Sequence, residues 1–260
     1  MLECVINVSE GHDGPPLRAI VEAAGDSLLD LHADEHHNRA VLTLAGDPVE
    51  PAARAVARAA VEHLDLTQHR GAHPRIGVID VVPFVPLSGS TMEDAIRARD
   101  SFAEWLSDEL GVPCHLYGPE RSLPDLRRQV RRLDGPGHAT AGRCAVGARE
   151  VLVAYNLWLT SGDVTAAQSI AAAIRSPAVR ALGLEVGDAV QVACNLVAPQ
   201  RTGPADVYDL VAARAPIARA ELVGLVPRDV LLAVPRARWD ALDLSEDRTI
   251  EARVETALRR

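Results

Sequence analysis

Short apolar runs alternate with longer segments of helical periodicity almost from the first residue, a pattern of α/β layering rather than of a helix bundle or a β-sandwich. Residues 2–7 read as a first strand. Residues 16–24 follow as a helix with proline near its start, where the missing amide proton does no harm. Two more strand-like runs, 27–31 and 39–45, flank the polar stretch 32–38, which reads as a loop. The alanine- and valine-rich segment 48–64 is an expected amphipathic helix, and 76–83 an expected strand buried on most sides and ended by Pro83 and Pro86. A helix capped by Ser90 or Thr91 should run to Leu110, with 112–117 returning as a strand.

Residues 118–147 carry several prolines and glycines around an arginine-rich helix, and read as a linker and domain boundary. Beyond it the order is strand (151–157), helix (164–174), strands (180–186 and 189–197), helix (204–214) and strand (217–226). This βαββαβ succession is the ferredoxin-like split pattern, and the first part looks like an enlarged version of it. The fold class expected is therefore α/β (α+β), two ferredoxin-like α/β sandwich subdomains. The expected domains are 1–147 and 148–235, followed by a charged tail, 236–260, ending in a helix.

Composition refines this picture. Of 260 residues 48% are apolar and 24% charged, which excludes disordered, collagenous and coiled-coil classes. The net charge of −9 offers no general attraction for nucleic acid. The one basic run, Arg127-Arg128-Gln129-Val130-Arg131-Arg132, reads first as the solvated face of a helix and second as an anion-binding surface. No apolar run reaches the roughly 18 residues of a membrane span, and the start lacks signal-peptide features, so a cytoplasmic protein is expected. The four cysteines are far apart, with no CxxC pair, and read as reduced and mostly buried.

The chemistry concentrates at His69-Arg70-Gly71-Ala72-His73-Pro74-Arg75. Glycine and proline rule out a regular helix here, so His69 and His73 do not offer the zinc geometry of a helical HExxH. Pro74 restricts His73 to extended backbone and fixes the direction of its imidazole. Such a residue can take and return a proton near neutral pH, and an arginine such as Arg75 can hold a carboxylate bidentately. From the residues alone, His73 reads as either structural or catalytic.

The start Leu2-Glu3-Cys4-Val5-Ile6-Asn7-Val8-Ser9-Glu10-Gly11 resembles the ECVPNFSEG of the formiminotransferase family. The stretch QHRGAHPRIGVIDVVPFVPL, residues 68–87, resembles RHKGEHPRMGALDVCPFIP of its glutamate formiminotransferases. Tyr117-Gly118, residues 147–156 (family GARKFLIAFN) and residues 221–227 (family QLVGLVP) match further blocks, in order, through about Val234. The resemblance implies transfer of a formimino group from N-formimino-L-glutamate to N5 of tetrahydrofolate as co-substrate, with His73 as general acid and base. It makes Arg75 and Arg39 candidates for substrate carboxylates, a structural salt bridge being the alternative for both. Asn7 and Asn38, with Asn156 and Asn195, are polar positions that could line a cleft, or serve turns and backbone pairing. The implied partners are small-molecule substrates, with neither nucleic acid nor membrane; a homodimer is compatible with the likeness, though no residue pattern specifies it. A separate protein would supply the cyclodeaminase of the two-function enzymes.

Two departures stand out. The polar stretch His32-Ala33-Asp34-Glu35-His36-His37 has His32 where the family has an aspartate, with Asp34 or Asp30 as substitutes; its metal-like composition reads as a solvated loop, and no metal site is expected. The family's folate loop, DFGPSSFVPSWG, is reduced to residues 134–142, leaving Gly135 and Gly137 as its candidate folate contacts. Alternatives therefore stand beside the first reading: the same fold and histidine with a different one-carbon donor or acceptor, or a non-catalytic ligand-binding homologue.

Overall fold

The computed structural model describes residues 1–71, 75–130, 135 and 137–259, which form two compact units, Met1–Glu150 and Val151–Arg260.

In the first unit the order is β1 (Leu2–Val8), α1 (Pro15–Ala23), β2 (Leu28–Asp34), β3 (Arg39–Gly46), α2 (Glu50–His63) and β4 (Ile79–Pro86), then α3 (Met92–Leu110), β5 (Cys114–Tyr117), α4 (Leu123–Val130) and β6 (Cys144–Ala148). Its sheet order is β2-β3-β1-β4-β6-β5. The first four strands pair antiparallel as in a ferredoxin-like unit, and β6 and β5 extend the β4 edge in parallel. One face is the core. Cys4, Ile6 and Val8 alternate inward from β1 and meet Leu42 and Leu44 of β3, Phe84 of β4, and the helical residues Leu17, Ile20, Val56 and Phe102. Thr91 and Asp94 cap α3 reciprocally.

On the other face, α4 covers only the β4-β6-β5 side, where Leu126 and Val130 pack on Val81, Tyr117 and Ala145. Strands β1, β3 and β2 there mix the polar Asn7, Thr43, Arg39, His32 and Asp30 with Val5, Val41 and Ala45.

Two expectations need correction. The stretch 118–147 is not a linker, because α4 packs on the sheet and β6 runs between β4 and β5. The segment 32–38 is only partly loop: β2 continues through His32, Ala33 and Asp34 before the turn. A sheet-edge strand with one open face keeps its polar residues in a regular ladder, so polarity alone misled the reading.

The second unit runs β7 (Val153–Leu159), α5 (Val164–Ile174), β8 (Val179–Val186), β9 (Ala189–Leu196), α6 (Pro204–Ala212) and β10 (Ile217–Val223), with sheet order β10-β7-β9-β8, all antiparallel. This is the ferredoxin-like topology read from the sequence. The chain is thus an α/β protein of two sandwich units. The segment expected as a charged tail supplies Trp239, Leu242, Leu244 and Ile250 to the second core, and ends in α8 (Ile250–Ala257) after the short α7 (Arg228–Leu232). Tyr155 Oη donates to Leu242 O at 2.7 Å, tying that segment to β7. Among the described residues no helix is long and apolar enough to cross a membrane.

Candidate functional site

The motif 69–75 lies between α2 and β4, and its His73 lies outside the described residues. What surrounds it is well defined. The segment after β1 (residues 9–12), the β2–β3 turn (35–38) and the loop holding His69, Arg70 and Gly71 are joined by one side chain, Asn38. Its Oδ1 accepts from Gly11 N at 2.9 Å and lies 3.2 Å from His12 Nδ1, and its Nδ2 donates to Arg70 O at 2.7 Å. Asn38 occupies the left-handed region (φ 46°), which asparagine tolerates better than other L-residues. The loops press closely. A Cβ on Gly11 would lie 2.1 Å from Asp34 O, and one on Gly71 2.5 Å from His37 O, so both positions need glycine.

His69 is structural in this arrangement. Its Nε2 donates to the carbonyl of Asn38 at 3.0 Å, and its Nδ1 accepts from an Arg75 Nη1. A ring that donates through one nitrogen and accepts through the other is the neutral Nε2–H tautomer. Burial lowers its pKa, the bond to Asn38 opposes that, and the Arg75 charge lowers it further. Arg75 in turn sends Nη2 to Gly71 O at 2.7 Å, so it clamps its own loop.

The turn is fastened a second way. His37, 6% exposed, has Nδ1 2.8 Å from Asp34 Oδ2, and its backbone N–H donates to Asp34 Oδ1 at 2.9 Å. Burial alone would raise the Asp34 carboxyl, but the bonds from His37 outweigh it and hold it well below the usual carboxylate range. Among the described residues no group of three or more His, Cys, Asp or Glu side chains is arranged to hold a metal ion.

Asn7 sits mid-strand on the sheet face opposite α1, α2 and α3, across from Val41 on one side and Val81 on the other, in the same register row as His32. Arg39 begins β3 next to this row; burial lowers its pKa, with the Asp80 carboxylate acting against that shift. Asp80, 1% exposed, was not singled out from the sequence. Its Oδ1 accepts from Ile76 N at 2.7 Å and its Oδ2 from Arg127 of α4. The signal was available, since one acid inside an apolar run that reads as a buried strand calls for a partner.

Gly135 and Gly137 both have positive φ (92° and 74°). Gly135 O accepts from Arg143 Nη2 at 3.0 Å, and the residues from His138 onward fold back so that His138 and Gly142 exchange backbone bonds at 2.8 and 3.0 Å. This turn is bonded to the rest of the unit through Leu66 N to Thr140 O (2.7 Å) and Val78 N to Ala141 O (3.0 Å). In the second unit, Asn156 Nδ2 and Trp158 Nε1 both donate to Glu221 Oε2, at 3.0 and 2.9 Å, on the sheet face away from the helices, and Arg219 stacks on the Trp158 ring. Asn195 is exposed on β9.

Residues 1–134 match the formiminotransferase domain, N-terminal subdomain. The glutamate formimidoyltransferase of Thermoplasma acidophilum is 32% identical over 297 aligned positions, covering 99% of this chain and 98% of that protein. The glutamate formimidoyltransferase of Streptococcus pyogenes is 31% identical over 90% of this chain and 91% of its own. The formimidoyltransferase-cyclodeaminase of Sus scrofa is 34% identical over 89% of this chain, which spans 51% of that longer protein. With a domain match over more than half its residues and similarity running nearly end to end, the chain belongs to the formiminotransferase family of transferases.

Proposed function

We propose that this protein transfers the formimino group of N-formimino-L-glutamate to N5 of tetrahydrofolate, with His73 as general acid and base. The observation that carries the reading is the near end-to-end similarity to two glutamate formimidoyltransferases. The polar loops around residues 69–75 support it. His69 is occupied by its two hydrogen bonds, to Asn38 O and from Arg75, and His73 is the other imidazole of the motif.

In the reaction the N5–carbon bond forms as the folate nitrogen attacks the amidine-like carbon, and the carbon–nitrogen bond to glutamate then breaks. His73 takes the proton from N5 in the first half and returns it to the glutamate nitrogen in the second, so one side chain serves both halves. Arg39 and Arg75 provide positive charge for substrate carboxylates. Asn7 and Asn38 contact substrate or hold the loops that do, and Gly135 and Gly137 contact the folate.

The compact turn at residues 137–143 favours a second reading in which the acceptor is smaller than folate. Both phenylalanines of the chain, Phe84 and Phe102, are sealed in the first core and offer no stacking surface. Incubating the protein with N-formimino-L-glutamate and tetrahydrofolate, and following 5-formiminotetrahydrofolate, tests the first reading. Absence of product together with absence of folate binding by calorimetry sinks it, and transfer to a smaller amine acceptor then supports the second.

A further inference from the structure

The segment that follows β1 is fastened to the chain on both sides of the motif loop. Ser9 donates from its backbone N–H to Val78 O and from Oγ to Gly77 O, each at 2.8 Å, just beyond Arg75. Gly11 N donates to Asn38 Oδ1, and the Nδ2 of the same amide holds Arg70 O near the start of the loop. The backbone at Gly11 is packed so closely that a Cβ there would also lie 2.6 Å from Arg39 N. His12 is the next residue, its side chain 58% exposed, and the proposed reaction does not use it.

The neighbours of its ring settle where the proton sits. Nδ1 lies 3.1 Å from Glu10 Oε1 and 3.2 Å from Asn38 Oδ1. The first is a carboxylate oxygen. The second is fixed as the amide oxygen, because it accepts from Gly11 N while Nδ2 donates to Arg70 O. Two acceptors beside Nδ1 require a proton on it, so the neutral ring is the Nδ1–H tautomer, the minor form of a free imidazole in water. Nε2 is then a lone-pair acceptor with no hydrogen-bond partner among the described residues. Glu10 anchors the residue twice, accepting also from His12 N at 2.8 Å. The Glu10 side chain is only 20% exposed, and among the described residues no arginine pairs with it. A neutral imidazole backed by a carboxylate carries a net negative charge and presents an acceptor, a combination that suits a cationic N–H donor.

We propose that His12 Nε2 is the acceptor of an amidine subsite, taking a hydrogen bond from the N–H of an amidinium group, with Glu10 and Asn38 as positioning residues that hold the ring and its tautomer. An amidinium is planar, cationic and bears only N–H donors, so it meets both features of the Glu10–His12 pair. A carboxylate, which only accepts, meets neither. That the natural ligand is the formimino group of the donor rests on the function proposed above; the subsite itself does not.

The test uses the full chain, with acetamidine as the probe and tetramethylammonium as a cation without N–H. Two-bond proton–nitrogen NMR correlations, with the His12 signals assigned by their loss in His12→Phe, should show Nδ1 protonated and Nε2 bare at a pH where the ring is neutral. Acetamidine should shift the Nε2 resonance saturably, and tetramethylammonium should not. Glu10→Ala, which frees the ring, should move the Nε2 signal toward the Nε2–H tautomer and weaken acetamidine binding about tenfold. In the transfer assay His12→Phe should raise KM for the formimino donor about tenfold, the effect of one hydrogen bond to a charged group, with kcat and the KM for tetrahydrofolate near wild type. His12→Gln, whose amide oxygen reaches to about the place of Nε2, should recover part of that loss. The proposal is overturned if Nε2 of the neutral ring carries the proton, if acetamidine leaves the Nε2 resonance unmoved, or if folded His12→Phe transfers with the wild-type donor KM. Acetamidine binding through His12 in a protein without formimino transfer keeps the subsite and discards the proposed function. Transfer with an unaltered donor KM in His12→Phe keeps the function and discards the subsite.

Discussion

Replacing Asn38 tests whether one side chain holds the three loops of the site together. Asn38→Gly removes its bonds to Gly11 N and Arg70 O without straining the left-handed backbone. Gly11 is buried and Arg70 exposed, so the first loss leaves a buried N–H without a partner while the second is replaced by water. An orphaned buried donor costs about 1–3 kcal/mol and an exposed bond about 0.5 kcal/mol, which places Asn38→Gly roughly 2 kcal/mol below wild type. Asn38→Ala loses the same bonds and adds about 1–2 kcal/mol of left-handed strain, offset by about 0.4–1 kcal/mol from a stiffer unfolded chain. It should therefore be less stable than Asn38→Gly by about 0.5–1 kcal/mol. Urea unfolding measures both differences, and amide exchange of Gly11 should accelerate roughly 30-fold in Asn38→Gly if that opening loses about 2 kcal/mol. The reasoning fails if Asn38→Gly unfolds within about 0.5 kcal/mol of wild type, or if the alanine variant is the more stable of the two.

His69 has a folded pKa depressed by burial and by Arg75, so its contribution to stability is full above its unfolded pKa of about 6.5 and declines as the pH falls below it. His69→Gln should flatten that part of the stability-versus-pH curve, and an unchanged slope between neutral pH and about pH 5 would contradict the neutral tautomer. The depressed Asp34 carboxyl contributes stability above the unfolded carboxylate range near pH 4 and loses it in acid; Asp34→Asn should make the acid unfolding of the first unit shallower, as measured by circular dichroism against pH. Gly147→Ala would place a Cβ 2.1 Å from the Tyr117 ring, so it should destabilise by about 3 kcal/mol or more, with partial recovery in Gly147→Ala/Tyr117→Ala, read from melting temperatures.

The fold was legible wherever a local pattern decided it. The βαββαβ order of the second unit could be read from alternating residues such as Val153, Tyr155 and Leu157 facing the core, and the start of α3 from Ser90 and Thr91 as alternative caps, of which Thr91 is the one used. β6 was hidden because Cys-Ala-Val-Gly-Ala is short, built largely of small residues, and follows a glycine-rich turn; its strand character comes from lying between β4 and β5. At the site, the loop before β4 and the asparagine of the β2–β3 turn could be picked out as residues, but not their connections. Arg127 looked like one charge among several on a solvated helix, because its partner Asp80 is 47 positions away in sequence. His69 could be seen beside His73 in the motif, but not its bonds to Asn38 O and from Arg75, which depend on how the β2–β3 turn meets this loop.

The central claim is that His73 carries the proton through formimino transfer. The most direct test is steady-state transfer from N-formimino-L-glutamate to tetrahydrofolate by wild type and His73→Asn, with folding of the variant checked by its melting curve. The account predicts product from wild type and a loss of about 10²–10⁴-fold in kcat for His73→Asn, with both KM values little changed. A folded His73→Asn protein that turns over at the wild-type rate would contradict it.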